Sequence, residues 1–305
     1  MIIRVLGSSA GGGFPQWNCN CPNCAGLRAG TLRATPRTQS SIAISTDAAR
    51  WVLCNASPDI HRQIEANLAP ATGAGLRDSP IAAVILVDGQ IDHSAGLLLL
   101  RENRVPLEVW TTEPVREDLL TGLPLLRVLE HYSRVDWHRV PIGGEWFAVP
   151  ALTGVDIKAL PVPGKPGPYS PHREHPRTGD NIALVFRDSA SGRQLVYAPG
   201  LQSITPAVTT VLESSSCVLV DGTFWTDDEM IRLGASTKTA HSMGHLAQSG
   251  DGGMIEALAR LPRSTRRILI HINNTNPILN EAGAERSALA AAGIEVAFDG
   301  MEIAL

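Results

Sequence analysis

Runs of apolar residues, rather than long amphipathic stretches, dominate this chain. Residues 81–87 form a continuous apolar segment rich in Val and Ile, the pattern of a strand buried on both faces. Residues 3–6, 41–45 and 51–54 predict earlier strands. Residues 59–67 predict a helix, with Ser57 or Asp59 as its cap and Pro58 near its first turn. After residue 87 come a turn over 88–93, a helix over 94–101, a strand over 107–111 and a helix opening at 114–120. Short apolar runs broken by Gly and Pro over 136–160 predict antiparallel strands. Residues 181–187 and 194–197 flank Asp188-Ser189-Ala190-Ser191-Gly192, a hairpin signal. Residues 217–220 and 267–271 predict two more buried strands, with helical sequence near 253–260 between them. A last helix over 288–292 and a last strand over 294–298 complete the pattern.

Strands outnumber helices, yet strand–helix units occur in both halves. The expected class is therefore α/β, with two mixed sheets packed face to face and helices outside. No short-period repeat or low-complexity linker divides the chain, so 1–305 is expected to form a single domain. Residues 160–180, rich in Pro, Gly and His, are too long for an ordinary connection and predict a loop over the functional site.

Composition narrows the function. A net charge of −4 without a basic stretch argues against nucleic acid as a partner. The longest apolar runs are too short to cross a bilayer, and the first residues lack a basic region followed by an apolar stretch. A cytoplasmic protein without a membrane partner is expected; its oligomeric state stays open, a homodimer being one candidate. Five cysteines, three of them clustered, fit metal-bound thiolates in a reducing compartment better than a disulfide framework. Cys54 and Cys217 lie in strand patterns and read as buried core thiols.

The clustered three, Cys19, Cys21 and Cys24, suit one tetrahedral zinc with sulfurs about 2.3 Å from the ion. Three thiolates leave little room for chemistry, so the ion is expected to be structural. A second constellation is Asp88-Gly89-Gln90-Ile91-Asp92-His93, delivered by the buried strand at 81–87. Ligands collect beyond the carboxyl ends of such strands. With His271, which ends another buried strand, Asp92 and His93 would make two imidazoles and one carboxylate, a set that leaves open positions on a metal. The competing reading has Asp92 capping a helix and His93 packing beneath it. The acidic run from Asp221 to Glu229 fits a strand end followed by a helix start, or else sets Phe224 and Trp225 to stack on a planar substrate. His241 and His245 are four apart, but Gly244 weakens a helix there, which favours a lone His245 hydrogen-bonding an anionic substrate over a metal pair. Lys165, Tyr169, His172, Arg173, His175 and Arg177 decorate the long loop, either as solvated side chains or as a lid that recognises a polycarboxylate.

A strand ending in a His-x-His-x-Asp-His loop marks the metallo-β-lactamase superfamily, and Asp88-x-Gln90-x-Asp92-His93 resembles it with the first two histidines replaced. The Cys-x-Cys-x-x-Cys insertion after the Gly-rich first turn, Gly7 to Gly13, resembles its phosphodiesterase branch. Longer segments are similar to the coenzyme PQQ synthesis protein B family: Gly13-Phe14-Pro15-Gln16-Trp17-Asn18-Cys19, Ser57-Pro58-Asp59-Ile60, the run from Asp221 to Met230, Met243-Gly244-His245, and the run from His271 to Pro277. The resemblance covers nearly the whole chain. It implies an αββα sandwich and a part in making pyrroloquinoline quinone (PQQ).

Departures from the superfamily pattern then carry meaning. Asp88 and Gln90 stand where two histidines would hold a first ion. No histidine occurs near Val162-Pro163-Gly164-Lys165, and Ala198 stands where a bridging Asp belongs. A dinuclear hydrolase needs both ions, so a mononuclear site is expected. The resemblance implies Fe(II)-dependent hydroxylation, with O2, of the tyrosine-derived ring of a cross-linked Glu–Tyr precursor. Asp92, His93 and His271 would hold the iron. Asp88 and Gln90 would orient or join that set or meet the substrate, as would Trp225 and His245. The fourth zinc ligand is expected to be Asn274, with His245 as its rival. The alternatives are a carrier that holds PQQ or a precursor and assists its transport to the periplasm, and a residual zinc hydrolase. Metal identity stays open, because two histidines and a carboxylate accept zinc, copper or iron.

Overall fold

The side chains of residues 83–87 sort by parity, and the sorting reveals the layers. Ala83, Ile85 and Val87 enter a buried cluster with Leu184, Phe186 and Tyr197. Val84 and Leu86 enter a different one with Leu97, Val115 and Leu119. The same split recurs from the other side, where Leu219, Ile268 and Ile270 join the first cluster while Val220 and Leu269 join a third. Strands flanked by apolar layers on both faces must be apolar throughout, which is why these runs lack alternation.

The computed structural model describes residues 1–68 and 75–305. One sheet contains β1 (Ile2–Gly7), β2 (Ser41–Ser45), β3 (Trp51–Cys54), β4 (Ile81–Ile85), β5 (Leu107–Thr111), β6 (Val135–Arg139) and β14 (Glu302–Ala304), in the order β14-β1-β2-β3-β4-β5-β6. The other contains β7 (Trp146–Phe147), β8 (Val155–Pro161), β9 (Ile182–Asp188), β10 (Gln194–Ala198), β11 (Cys217–Asp221), β12 (Arg266–Ile270) and β13 (Ile294–Val296), in the order β13-β12-β11-β10-β9-β8-β7. Each sheet is antiparallel at one end and parallel from β3 to β6 or from β10 to β13. Parallel neighbours need crossovers, supplied on the outer faces by helices such as Ile60–Asn67, Pro206–Glu213, Met254–Ala259 and Ala284–Ala291. The αββα class expected from sequence is the observed one. No described helix is long and apolar enough to cross a membrane.

Several local expectations need correction. Val135–Arg139 pairs in parallel with β5, because two short helices, Glu113–Leu120 and Leu125–Leu129, carry the chain back across the sheet. Ala95–Leu100 winds as a 3-10 helix after a short α-turn at Ile91–Ser94. Gly96 presses on the Ala56–Ser57 backbone there and donates to Ala56 O at 2.9 Å. Asp59 does not cap its helix with its side chain; its carboxylate accepts from the backbone and side chain of Gln39, both at 3.0 Å.

Candidate metal centre

Three strands of the two sheets deliver the chemistry to one edge of the sandwich. β4 leads into Asp88–His93, β11 ends on Asp221, and β12 is followed at once by His271. His271 adopts φ +62°, a left-handed conformation that a non-glycine residue seldom takes and that turns its ring toward the β4 loop. Donor atoms of Asp92, His93 and His271 lie within 4.8 Å of one another. The His271 Nε2 stands 3.2 Å and the His93 Nε2 3.9 Å from Asp92 Oδ2.

Hydrogen bonds fix which ring nitrogen is free. Both oxygens of Asp88 lie 2.9 Å from His93 Nδ1, so that nitrogen donates and Nε2 is left buried without a partner. The Thr223 hydroxyl donates to Asp221 Oδ1 at 2.6 Å and therefore accepts from His271 Nδ1 at 2.9 Å. That leaves a lone pair on His271 Nε2 aimed at the Asp92 carboxylate, a repulsive contact that a cation between them removes. His245 Nδ1 donates to Asp221 Oδ2 at 2.7 Å, and its ring stacks on His271 with centroids 5.3 Å apart. Each ring thus shows its Nε2 side to the cavity while a carboxylate or hydroxyl holds its other nitrogen, the arrangement by which proteins orient imidazole ligands. The donor set fits a metal ion.

Electrostatics point the same way. Burial works against a charge on His93, but Asp88 and Asp92 outweigh it and push the imidazole up to about 9. Burial also opposes ionisation of Asp92, yet the charge of His93 holds its carboxyl well below the usual range. His271 is pulled down, first by burial and then by the like charge of His93. A proton on His93 occupies the place of positive charge that an ion would take. Replacing Asp88 with Asn removes that anchoring charge. Asp88→Asn is expected to weaken metal binding at this cluster about 10- to 100-fold without loss of metal at the thiols; competition titration against a chelator measures it, and an unchanged affinity would rule the anchoring out.

The thiol cluster lies at the other end of the segment that begins with His271. Cys24 is fully buried on the helix Pro22–Ala29, and the sulfurs of Cys19, Cys21 and Cys24 lie within 4.8 Å of one another. The Asn274 amide nitrogen sits 3.0, 3.6 and 3.4 Å from Cys19, Cys21 and Cys24, at the fourth corner, and a half-turn of that amide presents its oxygen instead. Burial pushes the Cys21 thiol up to about 12, aided by its sulfur neighbours: three thiols this close cannot all ionise without a cation among them. His245, the rival fourth ligand, is at the imidazole cluster and not at the thiols.

A cavity of ≈ 250 Å³ opens over Asp92, His93 and His271. Lys165 and Arg173 of the loop 162–181 line it, together with Phe224 and His245. Trp225 does not; it packs on the cluster beneath, so the expected pair of stacking rings reduces to Phe224. Gln90 faces the loop, donating to Lys165 O at 3.2 Å. Tyr169, Ser170, His172 and Arg177 anchor the loop, while His175 is exposed. Ser170 donates to the buried Asp118 at 2.7 Å, His172 bonds Asp180 at 2.9 Å, Arg177 pairs with Glu117 at 2.7 Å, and the Tyr169 hydroxyl donates to Gly89 O. The parts that Asp221 and Thr223 play in orienting His245 and His271 escaped the sequence reading, which took Asp221 as a strand end. The signal was available in principle: two neighbouring buried strands end on Asp221 and His271.

This fold and this cluster define a protein of the metallo-β-lactamase class, and a Beta-lactamase superfamily domain is matched over residues 50–272. Closer relatives narrow the class. Coenzyme PQQ synthesis protein B of Azoarcus sp. (strain BH72) is 57% identical over 305 residues, 100% of both chains. The protein of that name from Cupriavidus necator is 57% identical over 303 residues, 99% of both. The crystal structure of Zn(2+)-bound PqqB from Methylobacterium extorquens shares 39% identity over 100% of both chains, with a TM-score of 0.90. The chain belongs to the coenzyme PQQ synthesis protein B family.

Proposed function

We propose that this chain acts in PQQ biosynthesis as an iron-dependent oxygenase that hydroxylates the tyrosine-derived ring of a cross-linked Glu–Tyr precursor. One observation carries the reading: three donors, Asp92, His93 and His271, converge on one point that faces a small-molecule cavity. Asp88 and Gln90, at the positions of the missing histidines, have other work, on His93 Nδ1 and Lys165 O. Neither supplies the imidazole that a first ion lacks, which speaks against dinuclear hydrolysis. When bound, Fe(II) would supply the redox chemistry that lets O2 react with a phenol.

The remaining parts belong to the chain's own residues. Asp88 and Thr223 fix the tautomers of His93 and His271. In its charged form, which burial opposes and Asp221 favours, His245 carries a proton at Nε2 on the cavity wall. That proton stands where a phenolate or quinone oxygen of the substrate would need a donor. The loop 162–181 forms one wall of the cavity through Pro163, Lys165, Pro168 and Arg173.

Oxygen uptake tests the reading. Protein reconstituted with Fe(II) without air, then mixed with air and a Glu–Tyr-derived precursor or a dihydroxylated phenol, is expected to consume oxygen only when substrate is present. Tight binding of PQQ without any uptake would instead make the chain a carrier.

A further inference from the structure

We propose that the lid wall of this cavity is an anion subsite, in which Lys165, Arg173 and Asn181 receive one carboxylate of the ligand and Lys238, on a separate segment, receives a second. The subsite rests on the reading of the cavity as the substrate site. It is argued from which polar groups the protein leaves unanswered there.

The cavity is polarised. Its metal side offers a carboxylate and imidazole lone pairs, from Asp92, His93 and His271. Its lid side offers donors. Asn181 Nδ2 is buried and has no hydrogen-bond partner. The Asn181 amide packs so close to Gly164 that a Cβ on residue 164 would stand 2.7 Å from Nδ2, so the glycine is what gives this donor its room. Lys165 and Arg173 line the same wall, and among the described residues neither they nor Lys238 enter a salt bridge. Arg173 gives one N–H to Pro166 O and keeps the others free. The lid's remaining arginine, Arg177, is committed to Glu117.

A buried donor without an acceptor is costly, and cations gathered at a cavity mouth on a chain of net charge −4 are not a general property of its surface. A carboxylate answers all three lid donors with charge-assisted hydrogen bonds. Gln90 holds the Lys165 backbone while its own N–H donates to Asp88 at 2.9 Å, so the subsite stands in fixed register with His93. The ligand class that fits is a compact ring compound with at least two carboxylates, its acidic groups at the lid and its reacting ring over Asp92, His93 and His271.

PQQ, a tricarboxylate, and its trimethyl ester serve as probes of the full chain with its thiol site loaded with zinc, with binding followed by calorimetry. The acid is expected to bind on the order of tenfold or more tightly than the ester, and added salt should erode the difference. Arg173→Gln and Lys165→Gln should each weaken acid binding on the order of tenfold and leave the ester alone, while Arg193→Gln, on a distant hairpin, should change neither. The inference is overturned if the acid fails to bind, if acid and ester bind alike, or if the cavity substitutions act no differently from Arg193→Gln. Its failure is separable from that of the oxygenase: charge-dependent binding without oxygen uptake keeps the subsite and removes the enzyme, and uptake with charge-independent binding does the reverse.

Discussion

Replacing Cys24 with alanine is expected to lower the melting temperature by about 10 °C, because a structural zinc site contributes several kcal/mol. The damage should not stay in the N-terminal loop. Asn274 is three residues beyond His271, and Asn23, beside Cys24 on the same helix, donates to Asn274 O at 3.1 Å and to Asn276 O at 2.8 Å. Ser9 Oγ and Ala10 N add bonds to Ile272 O at 3.0 and 2.9 Å. Once the thiols cease to hold Asn274, the segment that presents His271 loses one of its attachments. The variant is therefore expected to lose metal from both clusters. Metal analysis beside a thermal melt checks this. A variant that melts within a degree or two of the parent and keeps its metal content would show that the thiols are not a staple.

The opposite pattern is expected at the cavity. His271→Ala and His93→Ala should each reduce oxygen uptake by about three orders of magnitude or more, since removing one of three donors abolishes the site as a unit. Both should retain the metal at Cys19, Cys21 and Cys24. Neither should melt much lower, because each ring is held by one or two polar partners in a segment beyond a strand and does not form part of the central cluster. Uptake, metal stoichiometry and melting temperature together decide it. Activity surviving in His271→Ala would place the reaction elsewhere.

What was legible in the sequence was whatever a local pattern determines. Two-sided burial forces continuous apolar runs, so β4, β11 and β12 stood out, and with them the positions of Asp92, His93 and His271 at or beyond strand ends. The thiols were legible because three ligands lie within six residues. The direction of β6 was not, since it depends on how two short helices route the chain outside the sheet. Nor was the helix Pro22–Ala29, whose eight residues include a Gly and have little amphipathic contrast. The least legible layer was the one that decides the chemistry. Thr223 meets His271 across 48 residues, and its hydroxyl acquires its role only once Asp221 is beside it. Asp118, His172 and Asp180 show the same limit. An imidazole and an acid in a polar loop, and a further acid on the helix Glu113–Leu120, give no sign of one another until packing buries them together.

The left-handed backbone at His271 has a consequence for anyone who engineers this chain. Holding a side chain with a Cβ at φ +62° costs on the order of 1 kcal/mol that glycine would not incur. The residue at the heart of the centre is therefore one that the scaffold, judged as a scaffold, would be better without. A selection for thermostability alone registers that backbone cost and gives the imidazole no credit for its chemistry. Robustness and competence pull in opposite directions at this single position, and a screen for the first needs an assay for the second running beside it.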